Sequence, residues 1–241
     1  MAEKTVIIGA TGGIGRELAA ELSAKGKSLH LVARKEGGLS ELAISHRASF
    51  STYDASDFSA LENDLKQLVD AGDEVVSIAN CAGSVLLKPA HLTSEEEFLK
   101  IISENLKTAF SVVRAGTRIM KSGSILLFST AAVRIGLPNH EAIAAAKGGV
   151  EGLVRSAASS YASKGIRVNA VAPGLTRTPM TERITSNEQA LKKSEGMHAL
   201  GRIGEPEEIV SAACWMLDPA QSWVTGQILA VDGGLSTIVS K

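Results

Sequence analysis

A glycine-dense turn near the start of the chain constrains the fold more than any other feature of the sequence. A β-branched run over residues 5–8 leads into Gly9, Gly13 and Gly15, and an amphipathic helical segment follows and ends before Gly26. Bare backbone at these points lets a pyrophosphate approach the main chain, and the helix directs its unpaired N–H groups at that anion. An ordinary glycine-rich turn is the alternative, but the strand before it and the helix after it favour nucleotide binding.

Strand patterns recur along the whole chain, with helical patterns between them. The strands are predicted near residues 5–9, 28–33, 48–53, 74–78, 124–129, 167–171 and 227–231. This alternation predicts a parallel sheet with helices on both faces. With 241 residues, of which 44% are hydrophobic, the chain can bury one large core. We therefore expect a single α/β domain over residues 1–241, doubly wound and of the Rossmann type, with a seven-stranded, mainly parallel sheet.

Two helix starts are marked by local sequence. Ser94 with Glu97 three residues later predicts a capping box, and Pro206 with Glu207 and Glu208 predicts the first turn of the last helix. Residues 175–200 are too polar for a core and carry no firm pattern. A segment of this kind beside a cleft is often a mobile lid, and we expect one here over a small-molecule substrate.

Charge and cysteine content exclude several classes of function. The chain has 25 basic and 26 acidic residues and no basic cluster, which argues against nucleic acid or an anionic membrane as partner. Cys81 and Cys214 lie far apart without further ligands at metal-binding spacing, so we expect neither a metal site nor a redox pair. The first strand starts too early for a targeting peptide, and no apolar run reaches the roughly 18 residues of a membrane span. We expect a cytoplasmic protein.

Further motifs follow the glycine turn: the segment ANCAG that ends at Gly83, the pair Asn105 and Lys147, the dipeptide of Pro173 and Gly174, and the ending VTGQILAVDGG. With these motifs the chain resembles the classical short-chain dehydrogenase/reductase family over essentially its full length. The resemblance implies a nicotinamide dinucleotide bound by Gly9, Gly13, Ile14, Gly15, Asp54, Ala55, Asn80, Ala82, Gly83, Lys147, Pro173, Gly174, Thr176 and Thr178. It also implies that Asp54 contacts the adenine, Thr178 holds the carboxamide and Asn105 positions a structural water.

The family's catalytic serine, tyrosine and lysine are only partly matched. Counting back from Lys147 places Ile143 on the tyrosine and Thr130 on the serine. Thr130 keeps a hydroxyl that could hold a substrate carbonyl, whereas Ile143 cannot donate a proton. The two tyrosines, Tyr53 and Tyr161, have no lysine four residues later, so no shift of register restores the motif.

His140 is the candidate replacement for the missing acid. It precedes Lys147 by seven residues, which on a helix returns to nearly the same face after two turns. The same spacing, with tyrosine in place of histidine, occurs in the enoyl-thioester reductase branch of the family. Imidazole is a competent acid near neutral pH. The alternative is that His140 is a solvated residue at a helix start.

Lys147 and Cys81 each allow two interpretations. A lysine on a helix is usually solvated, but Lys147 has small apolar neighbours, so its charge is expected to have a partner. The resemblance makes that partner the nicotinamide ribose. Cys81 replaces the second asparagine of the family's Asn-Asn-Ala-Gly segment, and it is either a small buried residue or a neighbour of the nicotinamide.

The end of the second strand favours NADP(H) over NAD(H). An NAD site commonly presents an acidic side chain there, whereas an arginine suits a 2′-phosphate. Ala33 and Arg34 occupy these positions, and Arg16, in the first turn of the helix that follows the glycine turn, is a weaker second candidate. The alternative is that Arg34 is only a surface charge.

Three functions stay open on the sequence alone. The first is an NADP(H)-dependent oxidoreductase with an atypical proton donor, acting on a carbonyl, an activated alkene or a similar acceptor. The second is a cofactor-binding protein without turnover, acting as a sensor, scaffold or subunit partner. The third, a structural protein that no longer binds nucleotide, fits least well because the phosphate turn, Asp54 and Lys147 remain. The resemblance also implies a homodimer or homotetramer.

Overall fold

Seven parallel strands form the centre of the structure, a computed structural model that describes residues 2–238. The strands are β1 (Glu3–Ile8), β2 (Ser28–Ala33), β3 (Ser49–Thr52), β4 (Glu74–Asn80), β5 (Gly123–Phe128), β6 (Ile166–Pro173) and β7 (Ile228–Val231). Their order in the sheet is β3-β2-β1-β4-β5-β6-β7, and every neighbouring pair is parallel. The predicted doubly wound α/β fold is confirmed. The predicted domain limits at residues 1 and 241 lie outside the described residues.

Helices cover both faces of the sheet. They are α1 (Gly13–Ala24), α2 (Leu39–His46), α3 (Phe58–Asp70), α4 (Glu95–Ile102), α5 (Thr108–Ile119), α6 (Glu141–Tyr161), α7 (Glu182–Thr185), α8 (Glu188–Met197) and α9 (Pro206–Leu217). Buried side chains of α3, α5 and α6 pack together on one face, and those of α1, α2 and α9 pack on the other. Within residues 2–238, no helix is long and apolar enough to cross a membrane.

The strand order reverses next to β1, which pairs with β2 on one side and with β4 on the other. Ile8, the last residue of β1, is in register with Val32 of β2 and Asn80 of β4, so three strands end at the same level. The connections that follow β1 and β4 leave the sheet in opposite directions, which opens a crevice at the carboxyl edge of the sheet. The glycine turn lies at this switch point.

Two local predictions can be compared with the structure directly. Ser94 Oγ accepts from the Glu97 N–H at 3.2 Å and Glu97 Oε2 accepts from the Ser94 N–H at 2.9 Å, so the capping box is confirmed. Residues 175–200 contain a short helical turn, Pro179–Thr181, followed by α7 and α8. The mobility of this segment stays a prediction.

Candidate active site

The glycine turn packs its backbone against the loop after β4. Gly9 has a φ of +76°, and a Cβ added there would lie 2.6 Å from the Ala82 nitrogen. A Cβ at Gly15 would lie 2.3 Å from the Gly9 carbonyl oxygen. Side chains are therefore excluded at both positions by contact, and at Gly9 by conformation as well. Helix α1 then begins after Gly12, which offers no side-chain cap to its first N–H groups.

Ile14 and Gly13 have different surroundings in the first turn of α1. Ile14 packs on the apolar layer formed by α1, α2 and α9. A Cβ at Gly13 would lie 3.0 Å from Thr178 Cβ, so the loop after β6 reaches the glycine turn. The start of α1 thus meets one of the predicted nicotinamide-binding residues.

A cavity of about 400 Å³, the switch-point cavity, opens at the carboxyl ends of β1, β2 and β4. Residues predicted to hold the cofactor that line it are Gly9, Arg34, Asp54, Ala55, Ala82 and Gly83. Asn80 is buried at the end of β4, where its Oδ1 accepts from the Ala82 N–H at 3.3 Å. These residues, scattered along the sequence, form one continuous surface.

Asp54 and Arg34 supply charge to this cavity. The Ser56 backbone N–H donates to Asp54 Oδ1 at 2.8 Å and holds the pKa of this carboxyl below its usual range, with help from the charges of Arg34 and Lys107. Arg34 Nη1 lies 2.9 Å from Glu104 Oε1. Sequence reasoning missed Glu104, because it lies 70 residues from Arg34 and no local motif marks it.

Arg16, the weaker candidate for phosphate binding, lies beside the loop after β2. Its Nε donates to the Thr11 carbonyl at 3.1 Å, and its Nη2 lies 2.9 Å from the position of a Cβ at Gly38. It is not among the residues that line the switch-point cavity.

Lys147 is buried behind Gly83, which lines the cavity, and does not itself line it. Its Nζ donates to the Phe128 carbonyl at the end of β5 at 2.8 Å, and it lies 3.5 Å from the position of a Cβ at Gly83. Burial lowers the pKa of this amine to about 8. Burial also raises the pKa of the Cys81 thiol to about 12, although the Lys147 charge opposes that change.

Asn105 lies in a π-helical segment, Ser103–Lys107, between α4 and α5. Its Nδ2 donates to the Ile101 carbonyl at 3.0 Å and to the Ser84 carbonyl at 3.2 Å. Asn105 Oδ1 is 2.8 Å from the position of a Cβ at Gly83. A π-type turn of this kind is frequent at functional sites. Here it brings a fully buried amide next to Gly83, which lines the cavity and also lies beside Lys147.

Thr130 lies two residues after the end of β5 and is partly buried. Its Oγ1 accepts from the Ala132 N–H at 3.3 Å, which leaves the hydroxyl proton available to donate. The preceding residue, Ser129, donates to the buried carboxylate of Glu151 at 2.9 Å. Together with the bond from Lys147 to Phe128, this contact fixes the end of β5 against α6.

Ile143 lies on α6, one helical turn before Lys147, and is 4% exposed. It packs with Ile101, Ala142 and Ala146 in a small apolar cluster. Its side chain can neither donate nor accept a proton. Neither tyrosine compensates, because the Tyr53 hydroxyl donates to Asp64 at 3.0 Å and Tyr161 ends α6, about 21 Å along the helix axis from Lys147.

His140 immediately precedes α6 and is half-buried. Its Nδ1 lies 2.8 Å from the Pro138 carbonyl oxygen. Since a carbonyl can only accept, Nδ1 carries the hydrogen and Nε2 is the nitrogen left to exchange a proton. His140 is the N-cap residue of α6, with φ −105° and ψ 10°, so it lies just outside the helix that carries Lys147, and its predicted place on the Lys147 face stays a prediction.

The loop after β6 is held by contacts that the sequence did not indicate. Gly174, next to Pro173, packs so closely that a Cβ there would lie 2.8 Å from His198 Nε2. That Nε2 accepts from the Leu175 N–H at 3.2 Å, so buried His198 joins the two ends of the predicted lid.

The hydroxyl residues of this loop bond locally. Buried Thr176 donates to the Gly174 carbonyl at 3.2 Å, and Thr178 Oγ1 lies 3.2 Å from Thr181 Oγ1. Thr178 is the residue that contacts Gly13 across the crevice. A second cavity of about 580 Å³ lies between this loop and β7 and is lined in part by Gly174; Lys147 and Thr130 line neither cavity. Among residues 2–238, no group of three or more His, Cys, Asp or Glu side chains could hold a metal ion.

Known proteins share both the sequence and this architecture. The family model described as Enoyl-(Acyl carrier protein) reductase matches residues 9–236. A chloroplastic tropinone reductase homolog of Arabidopsis thaliana is 34% identical over 96% of this chain and 74% of its own length. The 2,5-dichloro-2,5-cyclohexadiene-1,4-diol dehydrogenase of Sphingobium indicum is 34% identical over 98% of each chain.

Two solved structures superpose closely on this one. A short-chain type dehydrogenase/reductase from Mycobacterium ulcerans gives a TM-score of 0.92 at 25% identity, covering 99% of this chain and 91% of that chain. A gluconate 5-dehydrogenase from Burkholderia cenocepacia, in complex with NADP and tartrate, gives a TM-score of 0.94 at 25% identity, covering 98% and 96%. The chain therefore belongs to the classical short-chain dehydrogenase/reductase family.

Proposed function

We propose that this protein is an NADP(H)-dependent oxidoreductase that transfers a hydride to or from a carbonyl, a hydroxyl-bearing carbon or an activated alkene, with a non-standard proton donor. The observation that carries the proposal is the position of Lys147. Its buried amine donates to the Phe128 carbonyl at the end of β5 and lies beside Gly83, a residue that lines the switch-point cavity. The names of two relatives point to chemistry of this kind: one is a tropinone reductase homolog and the other is a diol dehydrogenase.

The residues of the cavity fit a dinucleotide. The bare backbone at Gly9 and the uncapped start of α1 suit a pyrophosphate, Asp54 suits an adenosine, and Lys147, beside Gly83, suits a ribose. When bound, the nicotinamide would supply or accept the hydride. Arg34 favours the form with a 2′-phosphate, and the Burkholderia cenocepacia neighbour was solved with NADP.

We assign roles at the reacting end to Thr130, Asn105 and Lys147. The Thr130 hydroxyl, with its proton available, would donate a hydrogen bond to a substrate oxygen. Asn105 would hold a structural water beside Lys147. Because Ile143 stands where the family's tyrosine would be, Lys147 has no phenol whose pKa it could lower, and its remaining role is to hold the ribose.

His140 is our candidate for the acid. Its Nδ1 hydrogen is committed to the Pro138 carbonyl, so Nε2 would deliver the proton to a substrate oxygen or carbon. A positioned acid typically contributes about 10²–10⁴-fold, so a weaker or more distant donor would leave a slow enzyme on ordinary ketones. Substrates that need little acid help would react best.

A cofactor-binding protein without turnover is the second candidate. The burial of Ile143 in an apolar cluster with Ile101 favours it, because the side chain at this position is packed against hydrocarbon and cannot itself exchange a proton. Such a protein would act as a sensor, scaffold or subunit partner. The glycine turn and Lys147 would then serve binding alone.

Binding and turnover separate the two candidates. We expect NADPH to raise the melting temperature of the protein, and we expect NADPH oxidation with at least one member of a panel of ketones, quinones and enoyl thioesters. Stabilisation by NADPH without any turnover would support the second candidate, a cofactor-binding protein that is not an enzyme. No stabilisation by either NADPH or NADH would overturn both candidates.

The role of His140 has its own test. His140→Ala should lower kcat by about 10²-fold or more, since that is the contribution of a positioned acid. His46→Ala, on the last turn of α2, is the matched control and should leave kcat unchanged. Unchanged turnover in His140→Ala would show that another group delivers the proton.

We also propose a homodimer or homotetramer in the cytoplasm. Exposed apolar side chains on α4 and α5, namely Phe98, Leu99 and Phe110, support self-association through these helices. Small residues on α6 around Lys147 would permit close helix approach.

A further inference from the structure

Four charged side chains line the switch-point cavity: Arg34, Lys35, Asp54 and Glu104. Two are basic and two are acidic, so the cavity is close to neutral before any ligand enters. A 2′-phosphate adds about −1.5 to −2 charges to such a site. The balance between Arg34 and the acidic side chains therefore decides whether the 2′-phosphate strengthens or weakens binding.

We infer that Glu104 is a second determinant of cofactor choice, which opposes Arg34 by competing with a 2′-phosphate for its guanidinium. This inference rests on the proposed function, because it requires a dinucleotide in the switch-point cavity. The geometry behind it is an ion pair across the cavity wall, with Arg34 Nη1 at 2.9 Å from Glu104 Oε1. The arginine that favours NADP(H) is thus already engaged by a carboxylate of the protein.

The two partners differ in how firmly they are held. The Arg34 side chain is 62% exposed, whereas that of Glu104 is 18% exposed. Glu104 also adjoins Asn105, whose amide bonds to the Ile101 and Ser84 carbonyls fix the π-helical segment. Glu104 is therefore the more constrained member of the pair, and the Arg34 side chain has the greater freedom to change its conformation.

A 2′-phosphate can bind the Arg34 guanidinium in two ways, and each has a cost in binding free energy. If Arg34 turns fully toward the phosphate, the ion pair with Glu104 is lost. If the guanidinium uses its several N–H donors to hold both groups, the phosphate and the Glu104 carboxylate are brought together and repel each other. Neither cost arises with NAD, which has a neutral 2′-hydroxyl.

Calorimetric binding of NADP⁺ and NAD⁺ tests this inference, because the two ligands differ only in the 2′-phosphate. Glu104→Gln keeps the shape of the side chain and removes its charge. We expect this variant to bind NADP⁺ about 2- to 5-fold more tightly, in line with the modest strength of exposed ion pairs, with NAD⁺ binding unchanged. The gain should shrink at high ionic strength.

Two control variants separate competition from other effects. Glu96→Gln removes the same charge from the exposed first turn of α4, outside the cavity, and should leave both affinities unchanged. In the Arg34→Ala background, Glu104→Gln should no longer give most of its gain, because there is no guanidinium to compete for. Circular dichroism confirms that each variant is folded.

The outcomes distinguish this inference from the proposed function. If the wild-type protein binds neither dinucleotide, the proposed function falls and this inference falls with it. If both bind, and Glu104→Gln alters neither affinity or alters both equally, only the role of Glu104 is overturned. A full gain that persists without Arg34 would also overturn competition, since it would show simple repulsion.

Discussion

Ile143 and Lys147 lie on successive turns of α6, and both are buried, yet they have opposite chemistry. Lys147 keeps its hydrogen bond to the Phe128 carbonyl, while Ile143 joins the apolar cluster with Ile101. On the predicted alignment with the family's serine, tyrosine and lysine, Ile143 is the one position without a polar group, and Thr130 keeps a hydroxyl in the serine position. The sequence alone identifies that position by spacing, and the structure adds that the isoleucine is packed.

Restoring the phenol at this position is the most direct test. We expect Ile143→Tyr to create or raise NADPH-dependent reductase activity, by up to about 10²–10⁴-fold, since it returns a positioned acid beside Lys147. The larger ring must fit into the cluster around Ile101, so we expect a cost of about 1–3 kcal/mol in the free energy of unfolding. The measurements are steady-state kinetics and urea denaturation.

Ile143→Phe is the matched control for this substitution. It carries the same ring without the hydroxyl, so it should show the same loss of stability and no gain in rate. A gain in rate with phenylalanine would mean that reshaping the cluster, and not a proton donor, raises the activity. No gain with tyrosine, in a folded variant that binds NADPH, would mean that the cleft has diverged at more than this residue.

The lowered pKa of Lys147 makes stability depend on pH. Between about pH 8 and about pH 10.4, the folded protein has lost the proton of Lys147 while the unfolded chain still holds it. The unfolded state binds more protons there, so the free energy of unfolding rises with pH. The wild-type protein should gain up to about 3 kcal/mol relative to Lys147→Met across this range, measured by urea denaturation. A constant difference would show that Lys147 titrates normally.

At the scale of elements, the glycine turn makes a prediction with a control in the same chain. Gly9 and Gly26 both have positive φ values, +76° and +73°, but only Gly9 lies within 4 Å of other atoms at the position of a Cβ. Gly26→Ala should cost about 1 kcal/mol of stability and retain NADPH binding. Gly9→Ala should lose measurable NADPH binding, because its methyl group would push the turn away from Ala82.

Calorimetry with NADPH and thermal denaturation measure both glycine variants. Retained binding in Gly9→Ala would mean that the turn can move without harm and does not hold the pyrophosphate. Lost binding in Gly26→Ala would mean that a general weakening of α1, and not the contact at Gly9, explains the effect.

The elements differ in how well the sequence indicates them. All seven strands lie within two residues of their predicted limits, because most are short apolar runs between polar turns; the exception is β3, whose four residues include only one apolar side chain. Helices α7 and α8 were not predicted, because α7 has only four residues and α8 has no fully buried side chain that would impose a periodic pattern. Local sequence also gives no sign of His198, whose bonds to Ser194 and Leu175 arise only when the lid folds back on itself.

For the candidate site, the sequence indicates residues carried by motifs and misses those brought together by the fold. The glycines, Asn105 and Lys147 have fixed spacings, so they are recognisable one by one. Glu104 has no such mark, and its ion pair with Arg34 depends on β2 and the π-helical segment meeting at the carboxyl edge of the sheet. The charge balance of a cavity depends on which side chains the fold brings together, so local sequence does not indicate it.

At the scale of the whole molecule, helices α4 and α5 expose a group of large apolar side chains. Phe110 on α5 is 47% exposed and stacks on Phe58 of α3 with a ring separation of 5.8 Å. Phe98 and Leu99 on α4 are also exposed. The π-helical segment that carries Glu104 and Asn105 lies between these two helices. A subunit contact through α4 and α5 would therefore adjoin the segment that forms one wall of the cofactor cavity.

A charge on this surface tests the proposed assembly. We expect the wild-type protein to be a dimer or tetramer by light scattering after size-exclusion chromatography, and Phe110→Glu to shift it to a smaller species, because a buried carboxylate without a partner is costly in an interface. Ile44→Glu is the control, since Ile44 is 79% exposed on α2, on the other face of the sheet, and should leave the assembly intact. A monomeric wild-type protein, or an assembly unaffected by Phe110→Glu, would place no interface on α5. If assembly and NADPH binding are lost together in Phe110→Glu, the subunit contact also supports the cavity wall at Glu104.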